Sequence, residues 1–285
     1  MLSIRYLFKK RKKEQDNGIR FVHVDETDST NRFCLNNLDE ASIGQGGSVR
    51  MVVVSTDYQS AGRGQGSNSW ESERGQNLLF SIRCHPTWVP VRMHFILSEC
   101  IALAIRDALS VFVEGITIKW PNDIYYQDRK ICGILIENRL SGGRIKDCVI
   151  GVGVNVNQRE FHSDAPNPVS LCEIVGHEMD RQQLLNDIVK RFDEYMEMSR
   201  HGHYGAIAGT YASCLYRSRG FYPYKDRDGA FEAAIVEVED DGRLILRDRE
   251  GAIREYMFKE VEFVIDPQPP FQKGGTARAD GEEKP

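Results

Sequence analysis

The chain has 285 residues and a formal net charge of −5, with 41% hydrophobic and 28% charged residues. That length suits one large domain, or a catalytic domain with a small appendage, and the acidic balance argues against non-specific binding to nucleic acid or anionic membranes. Apolar runs such as Arg50–Ser55 are strand-sized and too short to span a bilayer, and no secretory leader follows Met1, so a cytoplasmic protein is expected.

Cys34, Cys84, Cys100, Cys132, Cys148, Cys172 and Cys214 are scattered singly, which argues against a disulfide framework or a structural zinc site. His201 and His203 form the only close histidine pair, and no cysteine or acidic ligand stands at metal spacing beside them. The basic run Lys9–Lys13 reads as a solvent-facing part of an N-terminal extension over residues 1–20.

In chain order, Phe21–Val24 reads as a short strand, followed by a helix over Asn31–Leu38 that either Asp28 or Ser29 caps. The valines of Arg50–Thr56 predict a buried strand. Asp57–Glu73 is polar, rich in Gly and Ser and irregular, and a loop of that length inside a domain is usually functional or disordered. Gln76–Cys84 returns to strand character. His94–Leu109 carries an apolar stripe at helical spacing and is assigned to core packing alone. Ile116–Trp120 is a strand stopped by Pro121. Lys130–Leu140 and Arg144–Val154 form a hairpin around Ser141-Gly-Gly143, and helices follow over Leu184–Ser199 and Tyr204–Ser213. Beyond Leu215, short strands at Phe231–Val238, Leu244–Arg247, Ile253–Met257 and Val261–Ile265 suggest a small barrel. Asp266–Pro285 holds four prolines and three glycines with almost no aliphatic side chains, and is expected to be a disordered tail.

Three segments carry chemistry. In Tyr58–Trp70, Gly62, Gly64 and Gly66 free the backbone to approach an anion, and Arg63 offers a fork of donors suited to phosphate or carboxylate; taken alone, the segment reads equally as a flexible surface loop. In Lys119-Trp-Pro-Asn-Asp123, a strand delivers Lys119 to neutralise a carboxylate or phosphate, while Asn122 or Asp123 could orient a nucleotide or hold magnesium; the same tripeptide also suits a plain turn. In Asp128–Glu137 with Gly151–Asn155, Lys130 begins one strand and Asn155 ends the next, while Gly133, Gly151 and Gly153 leave space beside the sheet or mark bulges.

Together these segments resemble the biotin–protein ligase family. The matching pieces are Asp28-Ser-Thr-Asn31, Gln59 with Ala61-Gly-Arg-Gly64 and Trp70, Lys119-Trp-Pro-Asn-Asp123, Gly133-Ile-Leu-Ile-Glu137 and Gly151-Val-Gly-Val-Asn155, in the family's order. Five ordered motifs are far more specific than any one of them. The resemblance implies an α+β fold, a mixed sheet flanked by helices, over residues 21–214, with a small SH3-like barrel over residues 215–265 and a tail over 266–285. It further implies ATP-dependent activation of biotin to biotinyl-5'-AMP, with Mg²⁺ accompanying ATP, and transfer to a lysine of a biotin carboxyl carrier domain, with neither nucleic acid nor membrane as partner. Lys119 and Arg63 become the catalytic residues. Ser29, Thr30, Asn31, Gln59, Gly62, Arg63, Gly64, Gln65, Lys119 and Gly133 are assigned to biotin. Trp70, packing against adenine, is assigned to ATP together with Asn122, Asp123, Lys130 and Asn155; Asp123 is also the candidate for a metal ligand and for a general base.

Two departures from the family pattern stand out. Where the lid commonly reads Gly-Arg-Gly-Arg-x-Gly, this chain has Gln65 and Ser67, which leaves retention of the adenylate to lid closure and Arg63 unless a neighbour such as Arg74 supplies the charge. Only twenty residues precede Phe21, too few for the helix-turn-helix domain some relatives carry there. The rival readings are a lipoate ligase or acyltransferase of the same superfamily, a biotin-sensing regulator, and a carrier-binding scaffold without catalysis.

Overall fold

Met51–Val54 is buried residue by residue, and the alternation of strand side chains explains how. Met51 and Val53 join the large core on one face of a sheet, while Val52 and Val54 join a second, smaller core with Cys34 and Val149 on the other. A strand covered on both faces has no polar side, so its sequence reads as a continuous apolar run. The computed structural model describes residues 18–38, 43, 49–162 and 166–271. The Lys9–Lys13 run and the tail beyond Phe271 lie outside them.

The sheet has seven strands: β1 (Ile19–Thr27), β2 (Met51–Gln59), β3 (Leu78–Cys84), β4 (Ile116–Lys119), β5 (Asp123–Tyr126), β6 (Arg129–Ser141) and β7 (Arg144–Val154), in the order β1-β2-β3-β7-β6-β5-β4. β1 and β2 run parallel and every other pairing is antiparallel, so the sheet is mixed. The parallel pair requires a crossover, and helix α1 (Thr30–Asn37) supplies it, covering the smaller core. The opposite face is covered by α2 (Ile96–Leu109), α4 (Arg181–Arg200) and α5 (Tyr204–Ser213), while the short α3 (Leu171–Val175) follows β7.

Several elements differ from the sequence expectation. β1 is longer at both ends. α2 begins at Ile96 because Val91–Met93 forms a separate 3₁₀ turn. α4 begins three residues before Leu184, because Asp180 accepts hydrogen bonds from the backbone N–H groups of Gln182 and Gln183 and caps the first turn. β5, α3 and β8 are additional elements.

A second, antiparallel sheet follows, consistent with an SH3-like domain: β8 (Tyr222–Asp226), β9 (Gly229–Val238), β10 (Leu244–Asp248), β11 (Ile253–Tyr256) and β12 (Glu262–Phe263), ordered β11-β10-β9-β8-β12. It is fastened beside the end of β4. Trp120, 2% exposed, donates its indole N–H to the Gly242 carbonyl at 2.9 Å. Phe258 packs against the rings of Trp120 and Phe95, at centroid separations of 5.5 and 6.0 Å. Gly242 is needed here twice over: its φ is +89°, and the rings of Phe95 and Phe258 fill the space a Cβ would take.

Asp266–Phe271, expected from composition to belong to a disordered tail, are docked instead. Asn167 donates to the Asp266 carbonyl at 2.9 Å and accepts from the Gln268 N–H at 2.8 Å, and Arg129 donates to the Pro269 carbonyl. The Phe271 ring meets Tyr126 edge-on with centroids 6.1 Å apart. One aromatic side chain docks a segment whose composition otherwise reads as unstructured.

Candidate functional site

β1 ends at the N-terminus of α1, and this junction delivers three polar side chains to the sheet. Ser29 occupies the N-cap position, yet its hydroxyl makes no capping bond; its backbone N–H donates instead to Asp28 Oδ1 at 2.6 Å. Ser29, Thr30 and Asn31 are each at most 3% exposed. The Thr30 N–H and hydroxyl both donate to Gln59 Oε1, at 2.8 and 3.1 Å. Asn31 donates to Glu137 Oε2 at 2.8 Å, and its amide fills the space that a Cβ at Gly151 would need.

Two residues of this network were not singled out from the sequence. Ser81 is fully buried on β3, and its Oγ lies 2.7 Å from Thr30 Oγ1 and 2.6 Å from Asn31 Oδ1, joining the two. A lone hydroxyl inside Leu78–Cys84 was the available signal, since a buried polar group needs a partner. Glu137 closes the Gly133–Glu137 motif. Besides Asn31 it accepts from Arg63 Nη1 at 3.1 and 3.3 Å, tying the lid loop to the floor of the site.

The lid is a tight loop rather than a free one. The Trp70 N–H donates to Gly62 O at 3.0 Å, the Gly64 N–H donates to Asn68 O at 2.7 Å, and Gly66 at the tip has φ +68°. Trp70 folds back so that its indole lies across Gly133 and Gly153, where a Cβ at either would collide with it. Its buried Nε1–H has no acceptor among the described residues. Arg74 pairs with Glu26 and stacks over Tyr58, away from the lid tip.

On the opposite wall Lys119 ends β4. Its Nζ stands 5.5 Å from the Tyr125 ring centroid and 4.7 Å from that of Phe263, a barrel residue. Burial lowers the Lys119 pKa below the ordinary lysine value; Asp123 acts to raise it, and Lys130 and Arg217 lower it further. Asp123 faces Lys119 across the strand pair and is held by Lys130 Nζ at 2.7 Å. That pair neutralises Asp123, which therefore fits neither a dedicated metal ligand nor a free general base. Asn122 is pinned by donating to Ile134 O at 2.7 Å, and Asn155 by donating to Val169 O at 3.3 Å.

The residues assigned from sequence meet at one cavity of about 1410 Å³, and only Gly62 among them is not part of its lining; Ser81 and Glu137 stand behind that lining. Gly62 lies behind the lid, against Trp70 O and Gln59. A single small-molecule site usually occupies roughly 300–1,000 Å³, so this cavity has room for two substrates side by side. One end offers neutral hydroxyl and amide groups, the other offers the cations Lys119 and Lys130, and Arg63 reaches in from the lid beside Glu137. The barrel closes one side with Lys225, Arg254, Lys259 and Phe263. Outside the cavity, the only cluster of three metal-capable side chains among the described residues is the His23, Asp25 and Asp57 group on the surface. No described helix is long and apolar enough to cross a membrane.

A mixed sheet with this cavity and a small C-terminal barrel defines the biotin and lipoate ligase class of fold. The model of the biotin/lipoate A/B protein ligase family matches residues 24–155. The chain is similar to a biotin–[acetyl-CoA-carboxylase] ligase of Paracoccus denitrificans, at 30% identity over 79% of this chain and 93% of the relative. It also resembles the bifunctional ligase/repressor BirA of Bacillus spizizenii, at 29% identity over 72% of this chain but only 64% of that protein's length. In fold it is similar to the biotin protein ligase of Aquifex aeolicus solved with biotin and ATP, with TM-score 0.69 and 24% identity, covering 87% of this chain and 99% of that one. The chain belongs to the biotin–protein ligase family.

Proposed function

We propose that this protein activates biotin with ATP to biotinyl-5'-AMP and passes the biotinyl group to a lysine of a biotin carboxyl carrier domain. The observation that carries the reading is the polarity of the cavity. A neutral donor-and-acceptor cluster sits at one end and paired cations at the other, which suits a ligand with a neutral polar ring and a carboxylate tail.

In this reading Ser29, Thr30, Asn31 and Gln59 hold the ureido ring, whose neutral N–H and C=O groups match hydroxyls and amides better than charges. Ser81 and Glu137 fix those side chains from behind. Gly64, Gln65 and Gly133 border the acyl chain, with Gly62 supporting the lid. Trp70, Asn122, Lys130 and Asn155 line the nucleotide half. Attack of the carboxylate on the α-phosphate forms the C–O–P anhydride and releases pyrophosphate. Two anions meet in that step, so preorganised positive charge from Lys119 and Arg63 lowers its barrier. Magnesium enters bound to ATP as part of that substrate. The lid then shields the anhydride from water. In the second step the carrier lysine attacks the acyl carbon, forming the amide and releasing AMP. The catalytic unit spans 21–214 and the barrel 215–265, and the compartment is the cytoplasm.

Transfer is tested by incubating the protein with biotin, ATP, Mg²⁺ and an isolated biotin carboxyl carrier domain, then mapping the modified residue by peptide mass. One biotinylated lysine, dependent on both ATP and protein, is expected. An unmodified carrier alongside accumulated adenylate would sink the transfer step while leaving activation intact.

A further inference from the structure

Lys259 sits on the turn between β11 and β12 with φ +71°, a left-handed conformation that disfavours any residue bearing a Cβ. The turn around it is fixed on both sides. Phe258 is wedged between Phe95 and Trp120, and Glu260 accepts the Met257 N–H at 2.7 Å while donating its own N–H to Met257 O at 3.2 Å. The lysine is thus held in a strained conformation by surroundings that determine it, and such strain is concentrated at functional positions.

Its side chain reaches into the cavity. Nζ occupies the space that a Cβ at Gly66 would need, so the ammonium rests on the tip of the lid from the barrel side. Three other cations of the cavity are committed: Arg63 to Glu137, Lys130 to Asp123, and Arg254 to Asp248 and Asp226. Lys119, on the opposite wall, and Lys225 are, like Lys259, without an ion pair among the described residues, but Lys259 is the one whose ammonium rests on the lid tip. Lys259 makes no ion pair among the described residues, and the lid tip beneath it, Gln65-Gly-Ser67, is uncharged.

We propose that Lys259 is a phosphate-binding residue contributed by the C-terminal barrel, which holds the phosphate of the acyl adenylate beneath the lid. This inference rests on the ligase activity proposed above. It assigns the barrel a direct part in retaining the intermediate, through a charge-assisted bond made from outside the catalytic sheet.

The test compares wild type with Lys259→Gly and Lys259→Arg. Glycine removes the ammonium and also relieves the left-handed backbone, so the variant is expected to melt no lower than wild type. Each protein is loaded with biotin, ATP and Mg²⁺, stripped of free small molecules by rapid gel filtration, and sampled for the adenylate still bound. Loss about tenfold or more faster in Lys259→Gly, with Lys259→Arg close to wild type, is expected for one charge-assisted contact. Equal lifetimes in all three, or equal acceleration in both variants, would overturn the inference. Absence of any adenylate in wild type would instead overturn the ligase reading on which it rests.

Discussion

Lys119→Ala should slow formation of the adenylate by about 10²–10³ while leaving the fold intact, the usual cost of removing one preorganised charge-stabilising donor. Lys119 lies at the end of β4, where the carboxylate and the α-phosphate would meet, and its ammonium stands over the rings of Tyr125 and Phe263. Arginine should not rescue it, because a planar fork does not fit a slot shaped by two rings around a compact ammonium. The pH dependence carries a sign. Burial lowers the Lys119 pKa, so its charge is lost at a lower pH than on an exposed lysine. The alkaline limb of kcat/KM for adenylation should therefore fall earlier than free-lysine chemistry predicts. A single-turnover assay of pyrophosphate release, run across pH on both variants, measures all of this. A folded Lys119→Ala protein with near-normal rates would move the charge-stabilising role to another residue.

Arg83→Met should destabilise the protein by about 3–5 kcal/mol, since it removes the fully buried partner of Asp147. Only Arg139 and His85 would remain beside that carboxylate, and two carbonyls at the end of α1 would lose their donor. Arg83 and Asp147 are 2% and 1% exposed and join in a two-bond fork of 3.0 and 2.9 Å. The remaining Arg83 nitrogen donates to the carbonyls of Cys34 and Leu38 at 2.7 and 3.0 Å, satisfying the C-terminal end of α1. Burial pushes the Asp147 carboxyl up, but hydrogen bonds from His85, Arg83 and Arg139 outweigh that and hold it well below the ordinary value of 3.8. The stabilisation is therefore complete above that ordinary value and is lost as pH falls through the lower folded one. Because the other end of α1 carries Ser29, Thr30 and Asn31, Arg83→Met should also raise the KM for biotin more than it lowers kcat. Urea unfolding at neutral pH measures the first effect, with the milder Asp147→Asn variant as a companion. A change below 1 kcal/mol in both variants would contradict the placement of this pair.

Most of the cavity wall was legible in the sequence because its residues lie in short motifs whose chemistry is local. A glycine-rich loop with an arginine and a strand ending in Lys-Trp-Pro-Asn-Asp each mark a site by composition. Helices α1, α2, α4 and α5 were legible, α5 to the residue, whereas the five-residue α3 was not. What escaped depended on tertiary partners. β5 is four residues long and begins inside the Pro121–Asp123 turn signal, which hid it. Ser81 and Glu137 matter only because β3 and β6 bring them against Asn31 from far along the chain. Lys259 carries no sequence signal at all: neither its left-handed backbone nor its reach to Gly66 follows from its neighbours. The docking of Asp266–Phe271 was likewise set by one phenylalanine and by hydrogen bonds to Asn167, not by average composition.

The measurement that bears most directly on the account is the identity of the activated acid. The protein is incubated with ATP, Mg²⁺ and an equimolar mixture of biotin and lipoate, quenched in acid, and the acyl adenylates are separated and weighed by mass spectrometry. The neutral amide and hydroxyl cluster of Ser29, Thr30, Asn31 and Gln59 should select the ureido ring, so biotinyl-5'-AMP is expected with lipoyl-AMP at a small fraction of it. Lipoyl-AMP in equal or greater amount, or no adenylate of either acid, would contradict the account.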